Sequence, residues 1–230
     1  MKLLAFEAST AHLSVALACD GQLTEKSALV PNGGSERLLP WASELLADAG
    51  LTLRQLDGIA FGAGPGGFTG LRLACGVAQG LAFGLDLPVV PVSTLAALAL
   101  ASGDGKVIAC LDARMNELYV AAYAVEGDGV EEHMPPKVSA GETAPLPEGA
   151  GWRGVGDGFA VQGDVLRQRM GARLIGVDVN AVPTATAVLR LAAPVFARGE
   201  GVAAARAQPL YVREKVAFTT VERLARGGTK

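Results

Sequence analysis

The chain is poor in the residues that most often carry chemistry: its 230 residues include two histidines, three cysteines and two tryptophans, and aromatics make up 5%. Cys19, Cys75 and Cys110 are odd in number, far apart and embedded in apolar segments. That pattern excludes a disulfide framework and a C-x-x-C redox or zinc pair, and leaves them as small buried hydrophobes. His12, at the start of a strand, and His133, beside a proline-rich stretch, are too few and too far apart to suggest a metal site. Charge is scarce as well, at 19% against 50% hydrophobic. This excludes the disordered regime and predicts a compact soluble chain with a large core. Long hydrophobic runs are missing too. The most apolar stretch, Leu71 to Leu87, is interrupted by Arg72, Gly76, Gln79, Gly80 and Gly84, so no segment approaches the roughly 20 apolar residues of a membrane helix. The opening MKLLAFE breaks at Glu7, too early for the apolar core of a secretory signal, and the expected location is the cytoplasm.

Glycine is what the chain has in quantity, 30 residues, which points to many tight turns rather than a helical bundle. Residues 2–8, 12–19 and 22–30 read as three successive strands, with Asp20-Gly21 as a hairpin turn. Ser35 is placed to N-cap a helix that carries Leu38, Leu39, Ala42, Leu45 and Leu46 on one face and ends at Gly50. A strand at 58–62, a helix at 69–84 capped by Thr69, a strand at 88–92 and a helix at 94–101 follow. The pattern then restarts. Strands are expected at 107–112, at 117–125 and near Val130, joined by the turns Ala113–Asn116 and Gly127-Asp128-Gly129. Helices at about 158–170 and 184–198 flank a strand at 173–177. Met134 to Gly151, with four prolines and three glycines, reads as a surface excursion.

Two consecutive units, βββαβα and a reduced βββαβα, predict an α/β fold of the actin-like ATPase type (ASKHA, ribonuclease H-like). The N-terminal lobe would be 1–104; the reduced C-terminal lobe, 105–230, would carry the excursion 134–151 and a basic tail. Six basic against two acidic side chains in residues 206–230 make that stretch net +4 and leave residues 1–205 at −7 within a chain of −3. Such a tail is either a solvated segment or a contact for nucleic acid.

The loop GAGPGGFTGLR, Gly62 to Arg72, admits three readings. Gly62, Gly64 and Gly67 fit G-x-G-x-x-G, with Asp86 about twenty residues on, as in a dinucleotide site. Against this, a meander and a helix precede the strand, and Pro65 removes a backbone donor. A P-loop is excluded because no G-K-[ST] follows. The third reading is structural: the glycines allow close backbone approach, Phe68 packs as an anchor, and Thr69 caps a helix whose N-terminus is open to an anion.

Gly64 to Arg72, GPGGFTGLR, is similar to the GPGSFTGLR motif of the TsaB family, with Gly67 in place of serine. Leu4 to Thr10 resembles that family's opening strand, with Glu7 where aspartate is common; Asp112-Ala113-Arg114-Met115 resembles its DAR motif, and Pro209 to Arg213 its closing P-x-Y-[LV]-R. The matches run in order along essentially the whole chain. The resemblance implies a non-catalytic subunit that pairs with the paralogue TsaD, which holds the metal, and with the ATPase TsaE. Together these move a threonylcarbamoyl group onto the adenosine beside the anticodon of ANN-decoding tRNAs. It also implies a homodimer when alone, tRNA contact only within the complex, and partner-facing helices at 35–49 and 69–84. Leu38, Leu39, Ala42, Leu45, Leu46, Leu73 and Val77 would then be the apolar contacts. No resident cofactor or metal is implied, and a nucleotide at the partner interface is left open.

The residues themselves offer little for catalysis. Glu7, Ser9, Thr10 and Thr69 are the candidate anion or nucleotide contacts, because the turn after the first strand holds phosphates in actin-like ATPases and a carboxylate there suits water-bridged magnesium. The plainer reading of Glu7 is a strand-end side chain bonded to nearby backbone. Gly156-Asp157-Gly158 is at most a remnant of a second-lobe adenosine motif. Ser9, Ser93 and Ser139 lack a G-x-S-x-G context. Arg114 and Glu117 are expected to hold the hairpin between them. The enzyme alternative is an autonomous actin-fold hydrolase or glycopeptidase.

Overall fold

The computed structural model describes residues 1–30 and 34–213. The first lobe opens with three antiparallel strands, β1 (Lys2–Glu7), β2 (His12–Cys19) and β3 (Gln22–Leu29). Asp20 and Gly21, both at positive φ (50° and 85°), form the expected tight turn between β2 and β3. Then come α1 (Ser35–Asp48), β4 (Gly58–Gly64), α2 (Phe68–Leu85), β5 (Pro88–Ser93) and α3 (Thr94–Ala101). The second lobe repeats the plan with β6 (Gly105–Arg114), β7 (Glu117–Glu126), β8 (Gly129–Ser139), β9 (Trp152–Val155), α4 (Gly158–Met170), β10 (Leu174–Asp178) and α5 (Ala185–Ala197). A two-residue strand, β11 (Val202–Ala203), follows.

The sheet orders are β11-β5-β4-β1-β2-β3 and β10-β9-β6-β7-β8. In each, a three-strand meander continues through its first strand into two parallel strands, so β6 to β10 stand where β1 to β5 stand in the first lobe. The difference lies between β8 and β9, where the first lobe has α1 and the second has only a loop.

Three expectations need correction. Gly34, not Ser35, is the residue before the first turn of α1, and no side chain caps it. The stretch from Met134 is not an excursion throughout: β8 runs on to Ser139 through Pro135 and Pro136. The prolines fall where register shifts between the pairs Val120–Lys137 and Ala122–Met134, in a bulge on an edge strand, where a missing N–H breaks no ladder. The remaining loop is tied down by α4, since Arg169 Nη1 donates to the carbonyls of Gly141 and Ala144 at 2.6 and 2.8 Å. Third, α2 has a mean hydropathy of 1.3 over 18 residues and is, by length and composition, apolar enough to span a membrane. In the fold, one side of it packs on β4 through Ala74, Cys75, Ala78 and Ala82.

The last helix of each lobe packs across the seam. α3, apolar all round, lies against β6 and β7, while α5 lies on β1, β2, β4 and β5. A helix without a polar face must be covered on every side, and these two form one shared core with the facing sides of both sheets. The N-terminus of α5 is fastened by the first lobe. The Ala185 N–H donates to Ser14 Oγ (2.8 Å), that of Thr186 to Glu25 Oε2 (2.7 Å), and that of Ala187 to the cap Thr184 Oγ1 (3.1 Å). Three of the donors that a helix start leaves unpaired are thereby satisfied. Replacing Ser14, which is fully buried, by Ala strands the Ala185 N–H. The expected loss is about 1–3 kcal/mol of unfolding free energy in a urea titration, and an unchanged midpoint would show that the two halves are not joined here.

Candidate functional site

Between the lobes lies a cleft of 830 Å³, lined by the β1–β2 turn, the glycine loop, the β6–β7 turn and residues 210–213. Its floor explains the glycines. A Cβ on Gly70 would stand 1.8 Å from the Ala8 carbonyl oxygen, one on Gly66 2.6 Å from that of Ser9, and one on Gly67 3.2 Å from the same atom. The loop and the start of α2 are thus pressed onto the end of β1, which at Gly66 and Gly70 only glycine allows. The Gly67 N–H donates to the Ser9 carbonyl at 2.6 Å, so a backbone oxygen already occupies one donor at this helix end. Thr69 is the second residue of α2 and does not cap it, because Gly67 takes the cap position without a side-chain bond. The second lobe uses the same device. A Cβ on Gly156 would lie 2.3 Å from the Cys110 carbonyl oxygen, and one on Gly158 2.9 Å from the Cys110 carbonyl carbon, so the GDG turn is docked on β6 just past its pairing with β9.

Ser9 and Thr10 line the cleft, whereas Glu7 lies beneath it, fully buried. Its Oε1 accepts the Ser9 N–H at 2.6 Å, its Oε2 has no partner among the described residues, and a Cβ on Gly62 would fall 1.8 Å from that Oε2. Burial holds the carboxyl above the usual carboxylate range, and the Ser9 N–H offsets this only in part. Glu7 is therefore the strand-end residue of the plainer reading. His12 and His133 stand in different sheets, the latter edge-on to Trp152.

Arg114 and Glu117 are register partners across their hairpin, but their side chains turn to other residues. Arg114, Met115 and Asn116 all have positive φ (61°, 58° and 61°). Arg114 pairs with Asp112 at 3.0 Å, and Glu117 receives Arg213. Arg213 Nη2 also donates to the Ala113 carbonyl at 3.1 Å. The closing motif is thus a strap across the cleft: its other end is held to the first lobe by Gln79 Nε2 on the Ala207 carbonyl (2.8 Å) and by the Leu210 N–H on the Ala63 carbonyl (2.7 Å). Phe68 is not a buried anchor either; it is 45% exposed and carries the Arg72 guanidinium on its ring face.

The expected partner contacts divide in two. Leu38, Ala42, Leu45 and Leu46 are between 0 and 4% exposed and belong to the chain's own core. Their spacing made the amphipathic face visible, but that face is turned onto β2. Leu39 is exposed, and Leu73 and Val77 are half-buried. Sequence reasoning passed over what lies beside them on α2. Gly76, Gly80 and Gly84 are exposed, and a Cβ on any of them would meet nothing within 4 Å. With Phe83, 79% exposed, they form a stripe of small and apolar residues spaced by four. That spacing was the available signal, and a pattern search for large apolar residues cannot register it.

Because folding favours the neutral form of Glu7, its contribution to stability is greatest below the ordinary carboxylate pKa and is lost as pH rises toward the raised value in the folded chain. Glu7→Gln keeps the acceptor for Ser9 and removes the ionisation. Urea titrations from pH 4 upward should show the variant gaining on the wild type by up to about 1.4 kcal/mol per pH unit inside that window. Parallel curves would mean that the carboxyl is not confined as described.

Residues 31–226 match the family model TsaD, tRNA N6-adenosine threonylcarbamoyltransferase. The chain is 38% identical to the tRNA threonylcarbamoyladenosine biosynthesis protein TsaB of Haemophilus influenzae, over 95% of this chain and 96% of that protein. It is 35% identical to the TsaB of Escherichia coli, over 95% and 97%. Among solved structures, YeaZ from Pseudomonas aeruginosa superposes with a TM-score of 0.84 at 40% identity, covering 91% of this chain and 99% of that one. Another structure from the same organism, described as similar to the peptidase YeaZ, gives 0.85 at 40%, covering 92% and 99%. The two sheets with their repeated order are accordingly those of the actin-like fold, and the chain belongs to the TsaB (YeaZ-like) family.

Proposed function

We propose that this chain is a non-catalytic subunit of tRNA threonylcarbamoyladenosine synthesis in the cytoplasm, and that it docks onto its paralogue TsaD through the exposed face of α2. The observation that carries this reading is the glycine stripe. Glycine in the middle of a helix costs about 1 kcal/mol relative to alanine, and at Gly76, Gly80 and Gly84 neither positive φ nor an internal neighbour demands it. A second helix laid along the stripe would supply the reason, because small residues let two backbones approach closely, with Leu73, Val77 and Phe83 as flanking apolar contacts. Leu39 on α1 is exposed as well. The same face serves a homodimer when the chain is alone, so the two assemblies compete. TsaE completes the set, and threonylcarbamoyl transfer to the adenosine beside the anticodon takes place on TsaD. A nucleotide, if one is held, belongs to the partner interface; Glu7, sealed under Gly62, is not its ligand.

Gly80→Leu should leave the far-UV circular dichroism unchanged, since the side chain enters open space, and should weaken pairing with TsaD about tenfold or more by calorimetry. In a reconstitution with TsaD and TsaE, tRNA modification should require this chain and fall with the variant. Modification that proceeds equally well without the chain, or with Gly80→Leu, would overturn the reading.

A further inference from the structure

The mouth of the interlobe cleft collects side chains that neither the core nor the docking of α2 accounts for. Phe68, Met115 and Tyr211 all line it, at 45, 54 and 54% exposure. Arg72 lies between two of these rings, its guanidinium carbon 3.4 Å from the Phe68 centroid and 5.9 Å from that of Tyr211. Among the described residues Arg72 forms no ion pair. The acidic groups of the cleft are engaged locally: Asp112 bonds the guanidinium and the N–H of Arg114 (3.0 and 2.7 Å), and Asp157 accepts the Asp112 N–H at 2.9 Å. Opposite Phe68, the β6–β7 turn projects Met115 through three successive left-handed residues, a conformation that side chains disfavour and that concentrates at functional sites. Gln162 Nε2, bonded to the Asn116 carbonyl at 2.7 Å, and Arg213 hold that turn in place.

The Tyr211 ring and the outer face of Phe68, beside a guanidinium that has no ion pair among the described residues, are the groups that take up unpaired nucleobases, which stack on the rings while their phosphates meet the cation. An acidic peptide would satisfy Arg72 and leave the ring faces without a stacking partner. We propose that the mouth of this cleft, formed by Phe68, Arg72, Met115 and Tyr211, binds single-stranded RNA. Only the source of that strand, the tRNA being modified, rests on the function proposed above. The stripe on α2 starts at Gly76, about 6 Å along the helix from Arg72 at 1.5 Å per residue, and Leu73 lines the cleft as well, so the two surfaces adjoin on α2 and the experiment reads them separately.

The test is fluorescence anisotropy of a labelled, unstructured 12-nucleotide RNA with the purified full chain over a range of salt. The wild type should bind at low salt. The double variant Phe68→Ala, Tyr211→Ala should raise Kd about tenfold or more. Arg72→Gln should weaken binding and flatten the plot of log Kd against log salt by about 0.7. Ile175→Ala, at an exposed site on the edge strand β10 of the second sheet, should bind as the wild type does, and thermal unfolding should show every variant folded. No binding by the wild type, unaltered binding by the cleft variants, or displacement of the RNA by an equal concentration of a polyglutamate peptide would each overturn the proposal. Because binding is read on this chain alone, RNA capture by a chain that fails to pair with TsaD would support the cleft site while overturning the docking of α2. Pairing without RNA capture would do the reverse.

Discussion

Each lobe is organised by a helix start pushed hard against a central strand. In the first lobe the contact is between Gly66, Gly67 and Gly70 and the backbone of Ala8 and Ser9; in the second it is between Gly156 and Gly158 and Cys110. At Gly66, Gly70, Gly156 and Gly158 the backbone is too close for a side chain, whereas Gly67 sits at the tight edge of what a small one could meet. The rest follows from where these contacts sit. The cleft is the gap between them, and the β1–β2 turn forms its floor. Glu7 is sealed because the strand that carries Gly62 lies flat against it. The same contact engages one donor at the start of α2, the Gly67 N–H, which donates to the carbonyl of Ser9.

The two lobes are not independent bodies. α3 leaves the first lobe to pack on the second sheet, and α5 returns to pack on the first, with its opening N–H groups spent on Ser14 and Glu25. The strap from Ala207 to Arg213 adds a third crossing on the opposite side of the cleft.

Much of the architecture could be read from the residues. The meander, its Asp20-Gly21 turn, α3 to the residue, and the restart at the second lobe all carry strong local patterns, and the motifs at Gly64 and Asp112 identified the family. What failed did so for definable reasons. β9 is four residues, Trp-Arg-Gly-Val, too short for alternation to register. β8 was hidden by two prolines that an edge bulge tolerates. Of the partner contacts expected on α1 and α2, Leu38, Ala42, Leu45 and Leu46 lie in the chain's own core, because a stripe of large apolar residues at helical spacing marks a helix's own core contact as readily as a partner's. On α2 the exposed face is built from glycine, which hydropathy patterns treat as neutral, and only the added-Cβ distances distinguish it from the glycines that pack. Arg213 and Tyr211 stood in a recognised motif, but their bonds to Glu117 and Arg72 cross 96 and 139 residues of chain and leave no local trace.

One further property comes from the prolines of β8. An open sheet edge offers a ladder of donors and acceptors to any extended chain that meets it, and two adjacent residues without N–H, set in a bulge and followed by Lys137, interrupt that ladder near the middle of the outer strand. A protein with a bare apolar helix face carries a standing risk of indiscriminate adhesion. Here the β8 edge of the second sheet is blunted while the helix face is left bare, so at that edge strand addition, where almost any sequence will serve, is disfavoured relative to side-chain fit, where a partner must match a shape.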